Sequence, residues 1–252
     1  MRAISRLGLI SGLSILFSGW ASAVDLIPDY AREKKWADEV VPGLVVGDPV
    51  YLETPRGHHK FLTLFTPAAN AHNAAIVVHG TGIHPDWGMV GTLRTGLADR
   101  GITTLSIQMP ILAADVKSDA YPPLFPEAAE RIAAAVDFLK AKGYTRLALV
   151  SHSMGARMSG VYMTGKPDAS VKAWASLGLP QGGYQSMKLP ILDLYGENDL
   201  PQVLGNAVNR KQSLSEAKSS RQVVIPKADH FYTGRESDMV NAVAVFLGDT
   251  LK

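Results

Sequence analysis

From Ala74 onward, short apolar runs alternate with segments whose apolar residues recur at helical spacing. The runs Ala74–Val78, Thr103–Ile107, Leu147–Val150, Val171–Leu177, Ile191–Tyr195 and Gln222–Ile225 predict strands. Met89–Arg100, Glu127–Lys142, Met154–Thr164, Leu200–Lys218 and Glu236–Leu247 predict helices. Ile132, Val136 and Leu139 line one face of the second of these, and Val240, Val243 and Leu247 one face of the last. Leu147-Ala148-Leu149-Val150 shows no polar alternation, which predicts a central strand buried on both faces. Alternation of this kind builds a mostly parallel sheet from strand–helix–strand crossovers, with helices on both faces. Upstream, a helical lead-in, Tyr30–Val41, precedes two strands, Leu44–Leu52 and Lys60–Phe65. The Pro55-Arg56 step and Gly57 between them predict a hairpin-like pair. Neither repeats nor a dividing linker interrupt 24–252, which is read as a single domain. The longest stretch without an element, Gln108–Pro126, follows a strand's carboxyl end, where loops line ligand crevices.

Composition narrows the class. Of 252 residues, 46% are hydrophobic and 19% charged, as in a globular protein. Lys and Arg number 25 against 23 Asp and Glu, with no run of like charge, so nucleic acid is not an expected partner. Arg2 and Arg6, an apolar stretch Leu7–Gly19 and the small-x-small end Ala21-Ser22-Ala23 predict a signal peptide, 1–23, cleaved after Ala23. The apolar stretch falls short of the roughly 20 residues needed to span a bilayer, so no membrane span is expected after cleavage, and the destination is periplasmic or secreted. There is no cysteine, which excludes disulfides, thiolate metal sites and a cysteine nucleophile. Burial alone must hold the exported chain together.

The sharpest chemical signal is Ser151-His152-Ser153-Met154-Gly155, between an apolar strand and a helix. A turn this tight strains its central residue and holds that side chain above the sheet, so the positions two away must be small, as Ser151 and Gly155 are. The following helix aims its N-terminus at the site, so the Met154 amide can donate to a negative oxygen. An ordinary Ser-capped helix start is the alternative. A serine hydroxyl needs a base, and the base an orienting acid. Asp199 follows the strand Ile191–Tyr195 and His230 follows Gln222–Ile225, so Ser153, Asp199 and His230 all fall at carboxyl ends of parallel strands. Glu197 competes with Asp199 as the acid. Asp193, inside its strand, is read as structural, and Asp229 as a turn former.

His79-Gly80-Thr81-Gly82 follows the strand Ala74–Val78, and its glycines let backbone approach a bound carbonyl. Thr81 is the expected second oxyanion donor, with Gly82 next, while His79 is read as structural. Gly80-Thr81-Gly82 also opens like a dinucleotide fingerprint, but Pro85 holds the third glycine position and the next strand ends in Gln108 rather than an acid. Five of seven histidines lie between 58 and 84, yet no metal-ligand spacing accompanies them. Neither cofactor nor metal is expected.

On these residues the chain resembles the α/β-hydrolase superfamily from Leu44 onward: two leading strands, the His79-Gly80 loop, the Ser153 elbow, then Asp199 and His230 in that family's order. Ser151 stands where the family's elbow usually has glycine. The stretch from His79 to Trp87, with Gly101–Ser106, also looks like a bacterial group of exported α/β-hydrolase-like proteins of unknown function. The resemblance implies an ester or thioester hydrolase acting on a small acyl substrate through an acyl-enzyme. Only about ten residues, Gly178–Lys188, occupy the usual lid position, so no large cap domain is expected. The pocket is expected to be open and bordered by Trp87, Tyr121, Phe125, Tyr184 and Phe231. An inactive, binding-only version of the fold is the competing class. The sequence leaves acyl chain length and oligomeric state open.

Overall fold

A computed structural model describes residues 27–252, so the predicted signal segment lies outside the described residues. Eight strands form one sheet: β1 (Asp48–Glu53), β2 (Lys60–Thr66), β3 (Asn73–Val78), β4 (Thr103–Ile107), β5 (Arg146–His152), β6 (Val171–Leu177), β7 (Ile191–Gly196) and β8 (Arg221–Ile225). Their spatial order is β1-β2-β4-β3-β5-β6-β7-β8. β2 runs antiparallel to both β1 and β4, and every later pairing is parallel.

The helices are α1 (Tyr30–Val40), α2 (Gly88–Ala98), α3 (Phe125–Ala141), α4 (Met154–Thr164), α5 (Pro201–Gly205), α6 (Ala207–Gln212) and α7 (Glu236–Thr250). The striped faces of α3 and α7 lie on opposite sides of the sheet. Ile132, Val136 and Leu139 pack with Leu147 and Leu149, whereas Val240, Val243 and Leu247 share the other core with Ala148 and Val150. β5 therefore feeds both cores by strict alternation, as a strand without polar positions must. α1 covers Leu62 and Leu64 near the antiparallel edge.

Two expected elements differ. The strand expected from Leu44 begins at Asp48, because Val41–Gly43 continues α1 as a 3-10 turn around Pro42. The single helix expected over Leu200–Lys218 is two short helices, and residues 213–220 are irregular. Gly205 weakens the helix there. Asn206 donates from Nδ2 to Gly182 O at 2.8 Å, Ser215 Oγ donates to Leu189 O at 2.7 Å, and Ser213 Oγ accepts from Tyr184 N at 3.0 Å. Short polar side chains of this kind compete with helical hydrogen bonds. β6 and β7 are joined by residues 178–190 alone, with no inserted cap. No helix among the described residues is long and apolar enough to cross a membrane.

Candidate active site

The site forms where β3, β5, β7 and β8 end. Ser153 caps α4 with φ 55° and ψ −119°, a strained conformation for a residue with a Cβ, and its N–H donates to Leu177 O at 2.8 Å. Gly155 is obligatory: a Cβ there would lie 2.3 Å from His79 O and 2.8 Å from Val78 O. Ser151 accepts from Trp174 Nε1 at 2.6 Å, so the serine in the usual glycine position satisfies a buried indole. That contact has no signal in the linear sequence.

His230 and Asp199 arrive on two loops bonded to each other. Glu197 N donates to Ile225 O at 3.0 Å and Asn198 N to Ala228 O at 2.8 Å. His230 Nδ1 lies 2.6 Å from Asp199 Oδ1, and His230 Nε2 lies 2.9 Å from Ser153 Oγ. Asp199 also accepts from Leu200 N at 2.7 Å through Oδ1 and from Gly196 N at 3.2 Å through Oδ2. With the Nδ1 proton directed at the carboxylate, Nε2 is left as an acceptor for the serine hydroxyl. Glu197 points elsewhere: its Oε2 accepts from Lys227 N at 2.8 Å. Asp229 Oδ1 accepts from Phe231 N and Thr233 N, both at 2.9 Å, which shapes the loop carrying His230.

Two further histidines buttress the site. His152, buried beneath the elbow, lies with Nε2 2.9 Å from His230 O and its ring 4.7 Å from the His230 ring. Desolvation lowers its pKa to about 3, so it is neutral and adds no charge beside His230. His79 is likewise held at about 3 by burial. Its Nε2 accepts from Met109 N at 2.9 Å and Gln108 Nε2 at 3.1 Å, and its Nδ1 lies 2.8 Å from Gly80 O, which braces the glycine loop. His152 and its bond were not foreseen, although its place beside Ser153 marked it.

A cavity of about 360 Å³ opens over Ser153, with Thr81, Met154, Arg157, Gln181, His230 and Phe231 in its wall. Thr81 and Met154 thus both border it, and the Met154 N–H, in the first turn of α4, has no intrahelical acceptor. Of the aromatics expected at the rim, only Phe231 lines it. Trp87 meets Phe231 edge to face, ring centroids 5.1 Å apart, and does not line the cavity. Tyr121 is 2% exposed, and its hydroxyl accepts from Leu112 N at 3.2 Å. Tyr184 is 1% exposed and donates to Asp193 at 2.7 Å. Both phenols found internal partners, which is why burial took them from the rim. Phe125 lines a neighbouring groove of about 270 Å³ that shares Arg157 and Gln181 with the cavity. Asp193 is a structural hub: fully buried, it takes both oxygens to Arg210 Nε, at 2.9 and 3.1 Å, and also accepts from Gln222 at 2.7 Å. No group of three or more His, Asp or Glu among the described residues is placed to hold a metal ion.

With this geometry established, the chain can be compared with known proteins. A family model described as a protein of unknown function (DUF3530) matches residues 53–128, a segment that includes the His79-Gly80 loop and stops short of Ser153. No curated protein matches the chain. Among solved structures, dienelactone hydrolase from Anabaena variabilis is similar at a TM-score of 0.68 and 20% identity, covering 81% of this chain and 99% of its own. Est1E from Butyrivibrio proteoclasticus is similar at 0.65 and 15%, covering 80% and 98%. XC6422 from Xanthomonas campestris, described as an α/β serine hydrolase without lid, gives 0.63 and 17%, covering 82% and 95%. These likenesses, each over about four-fifths of this chain, show that it has the α/β-hydrolase fold.

Proposed function

We propose that this protein is a serine hydrolase that cleaves carboxylic esters, or thioesters, through an acyl-enzyme. The observation that carries the reading is the continuous relay Asp199–His230–Ser153, with contacts of 2.6 and 2.9 Å, at the wall of an open cavity. His230 Nε2 takes the proton from Ser153 as Oγ attacks the carbonyl carbon, and Asp199 balances the imidazolium that forms. The N–H groups of Met154 and Thr81 receive the oxyanion. As the tetrahedral intermediate collapses, His230 returns the proton to the leaving oxygen or sulfur. Water then enters, gives one proton to His230 and attacks the acyl carbon, and as the second tetrahedral intermediate collapses to the acid the C–Oγ bond breaks and His230 returns that proton to Ser153 Oγ. None of these steps draws on a metal or cofactor. The signal peptide expected at 1–23 supports action in the periplasm or outside the cell.

Purified protein lacking residues 1–23 is expected to label covalently with a fluorophosphonate probe and to hydrolyse p-nitrophenyl acetate. Ser153→Ala should abolish labelling and lower kcat by about 10³ to 10⁶-fold. Undiminished labelling of Ser153→Ala, or a folded wild-type protein that neither labels nor hydrolyses, would rule out the proposal.

A further inference from the structure

Arg157 sits on the first turn of α4, four residues beyond Ser153, where the cavity over the serine meets the groove past Phe125. Arg157 is half-buried, and arginines held against a protein wall are ordinarily satisfied by oxygen acceptors. In this molecule Arg56, Arg94, Arg131, Arg210, Arg221 and Arg235 each pair with a carboxylate. Arg32, Arg100 and Arg146 donate to backbone carbonyls. Arg157 differs from all the other described arginines. Its one hydrogen-bond contact is the Met154 sulfur at 3.7 Å, a weak acceptor, and its guanidinium lies over the Phe125 ring, 5.3 Å from the centroid. The contact with the ring holds the guanidinium in place, and no oxygen acceptor is bonded to it. The other charged group lining the cavity away from the serine relay, Asp119, is exposed and makes no ion pair with it.

We infer that Arg157 is the anchor for a carboxylate on the acyl portion of the substrate, so that the physiological ester is a half-ester of a small dicarboxylic acid or a close analogue. The inference rests on the serine hydrolase reading. The side of the scissile bond follows from that chemistry. The leaving oxygen must sit at His230 Nε2 to receive its proton, and the carbonyl oxygen must sit at the Met154 N–H. The acyl remainder therefore extends over the first turn of α4, away from His230 and toward Arg157. A planar fork matches a carboxylate with two parallel bonds. Four residues of helix, about 6 Å of rise, separate serine and arginine along the axis, so the acyl chain that joins the two groups is short.

The test is the ratio of kcat/KM for p-nitrophenyl hydrogen glutarate to that for p-nitrophenyl butyrate, a neutral ester of similar size, in wild type, Arg157→Gln and Arg157→Lys. Wild type is expected to favour the anionic ester, and Arg157→Gln to lower the ratio about 10- to 100-fold, the span of a lost charge-assisted pair. Arg157→Lys should recover part of it, as a point charge without the fork. Free glutarate should inhibit wild type competitively and Arg157→Gln at least tenfold more weakly. Melting temperature and fluorophosphonate labelling rate verify that the variants keep an intact site. Equal ratios in wild type and Arg157→Gln, with both esters cleaved, would overturn the carboxylate anchor and leave the hydrolase standing. Failure of wild type to cleave either ester or to label would overturn both.

Discussion

Replacing Asp199 by Asn isolates the charge of the proposed triad from its geometry, because three donors dictate how the new amide must sit. Oδ1 faces His230 Nδ1 and Leu200 N at 2.6 and 2.7 Å, and Oδ2 faces Gly196 N at 3.2 Å. An asparagine has one oxygen and one NH₂. With the oxygen at the Oδ1 position, two donors are satisfied, and the NH₂ meets only Gly196 N across the longest contact. The reverse orientation would set the NH₂ against two donors. The first arrangement wins, so His230 keeps its proton on Nδ1 and remains able to accept from Ser153. What disappears is the negative charge beside the developing imidazolium. At 2.6 Å and an effective dielectric of about 20, that attraction is about 6 kcal/mol. A neutral acceptor retains roughly half the strength of a charged one, leaving a deficit of about 3 kcal/mol, or about 100-fold in kcat/KM. Asp199→Ala loses orientation as well and should fall at least tenfold further. The assay is p-nitrophenyl butyrate hydrolysis with melting temperatures as controls. Glu197→Gln, altered at an oxygen occupied by Lys227 N, should stay within about twofold. An Asn variant within fivefold of wild type would refute Asp199 as the orienting acid, and an Asn variant as slow as Ala would refute the donor argument.

Three other outcomes follow from packing and burial. Gly155→Ala drives a Cβ to 2.3 Å from His79 O, a backbone atom at the end of a central strand; overpacking of about 2 to 3 kcal/mol should lower the melting temperature by roughly 5 to 10 °C, and a change under 2 °C would contradict the close approach. Arg210→Met strands the fully buried Asp193 with neutral partners, a loss of about 3 to 5 kcal/mol, read as a melting temperature roughly 6 to 20 °C lower. Adding Asp193→Leu should restore much of it, and a double variant less stable than the single would count against this explanation. For acid stability, the unfolded chain protonates His79 and His152 as pH falls through about 6.5, whereas the folded chain resists until about 3. Stability is thus lost as pH falls through that window, by up to about 1.4 kcal/mol per pH unit for each histidine. Urea midpoints measured from pH 7 to 5 should decline, and His152→Gln should flatten the slope by one proton; a level wild-type profile would refute the sign.

The middle of the sheet was legible because its central strands are buried on both faces, and burial leaves a local mark: uninterrupted apolar runs such as Leu147–Val150 have few other uses. The elbow was legible for a related reason, since only small residues fit beside a strained serine. What stayed hidden was long-range. Nothing near Tyr121 or Tyr184 announces that Leu112 N and Asp193 will engage their hydroxyls, so both read as rim aromatics until the partners are known. The break in the helix expected over Leu200–Lys218 depends on carbonyls of Gly182 and Leu189, which come from another loop. Arg157 was within reach of pattern reading, four residues after Ser153 on one helix face, but its lack of an oxygen acceptor shows only against the pairing of every other described arginine.

Backbone rather than side-chain contacts set the spacing of the three reacting groups. Ser153 N donates to Leu177 O, Gly178 N to Leu194 O, Glu197 N to Ile225 O and Asn198 N to Ala228 O, so each strand end is bonded to its neighbour just before its loop departs. The loops then approach so closely that side chains are excluded. A Cβ on Gly178, which has φ +59°, would lie 3.0 Å from His230 Cε1, and one on Gly196 would lie 2.4 Å from Ala228 O. The residues bearing the proposed chemistry are therefore held by a ladder that carries no functional groups, and its tightness accounts for the contacts of 2.6 and 2.9 Å. On this account Gly178→Ala, whose Cβ presses on the imidazole at 3.0 and 3.1 Å and meets Asp199 Oδ2 at 3.4 Å, should lower kcat more than it raises KM, whereas a substitution confined to the outer cavity wall, such as Gln202→Ala, should act mainly on KM. Steady-state kinetics of the two variants on one ester separate these cases, and a Gly178→Ala enzyme changed only in KM would show that the ladder does not set the reacting geometry.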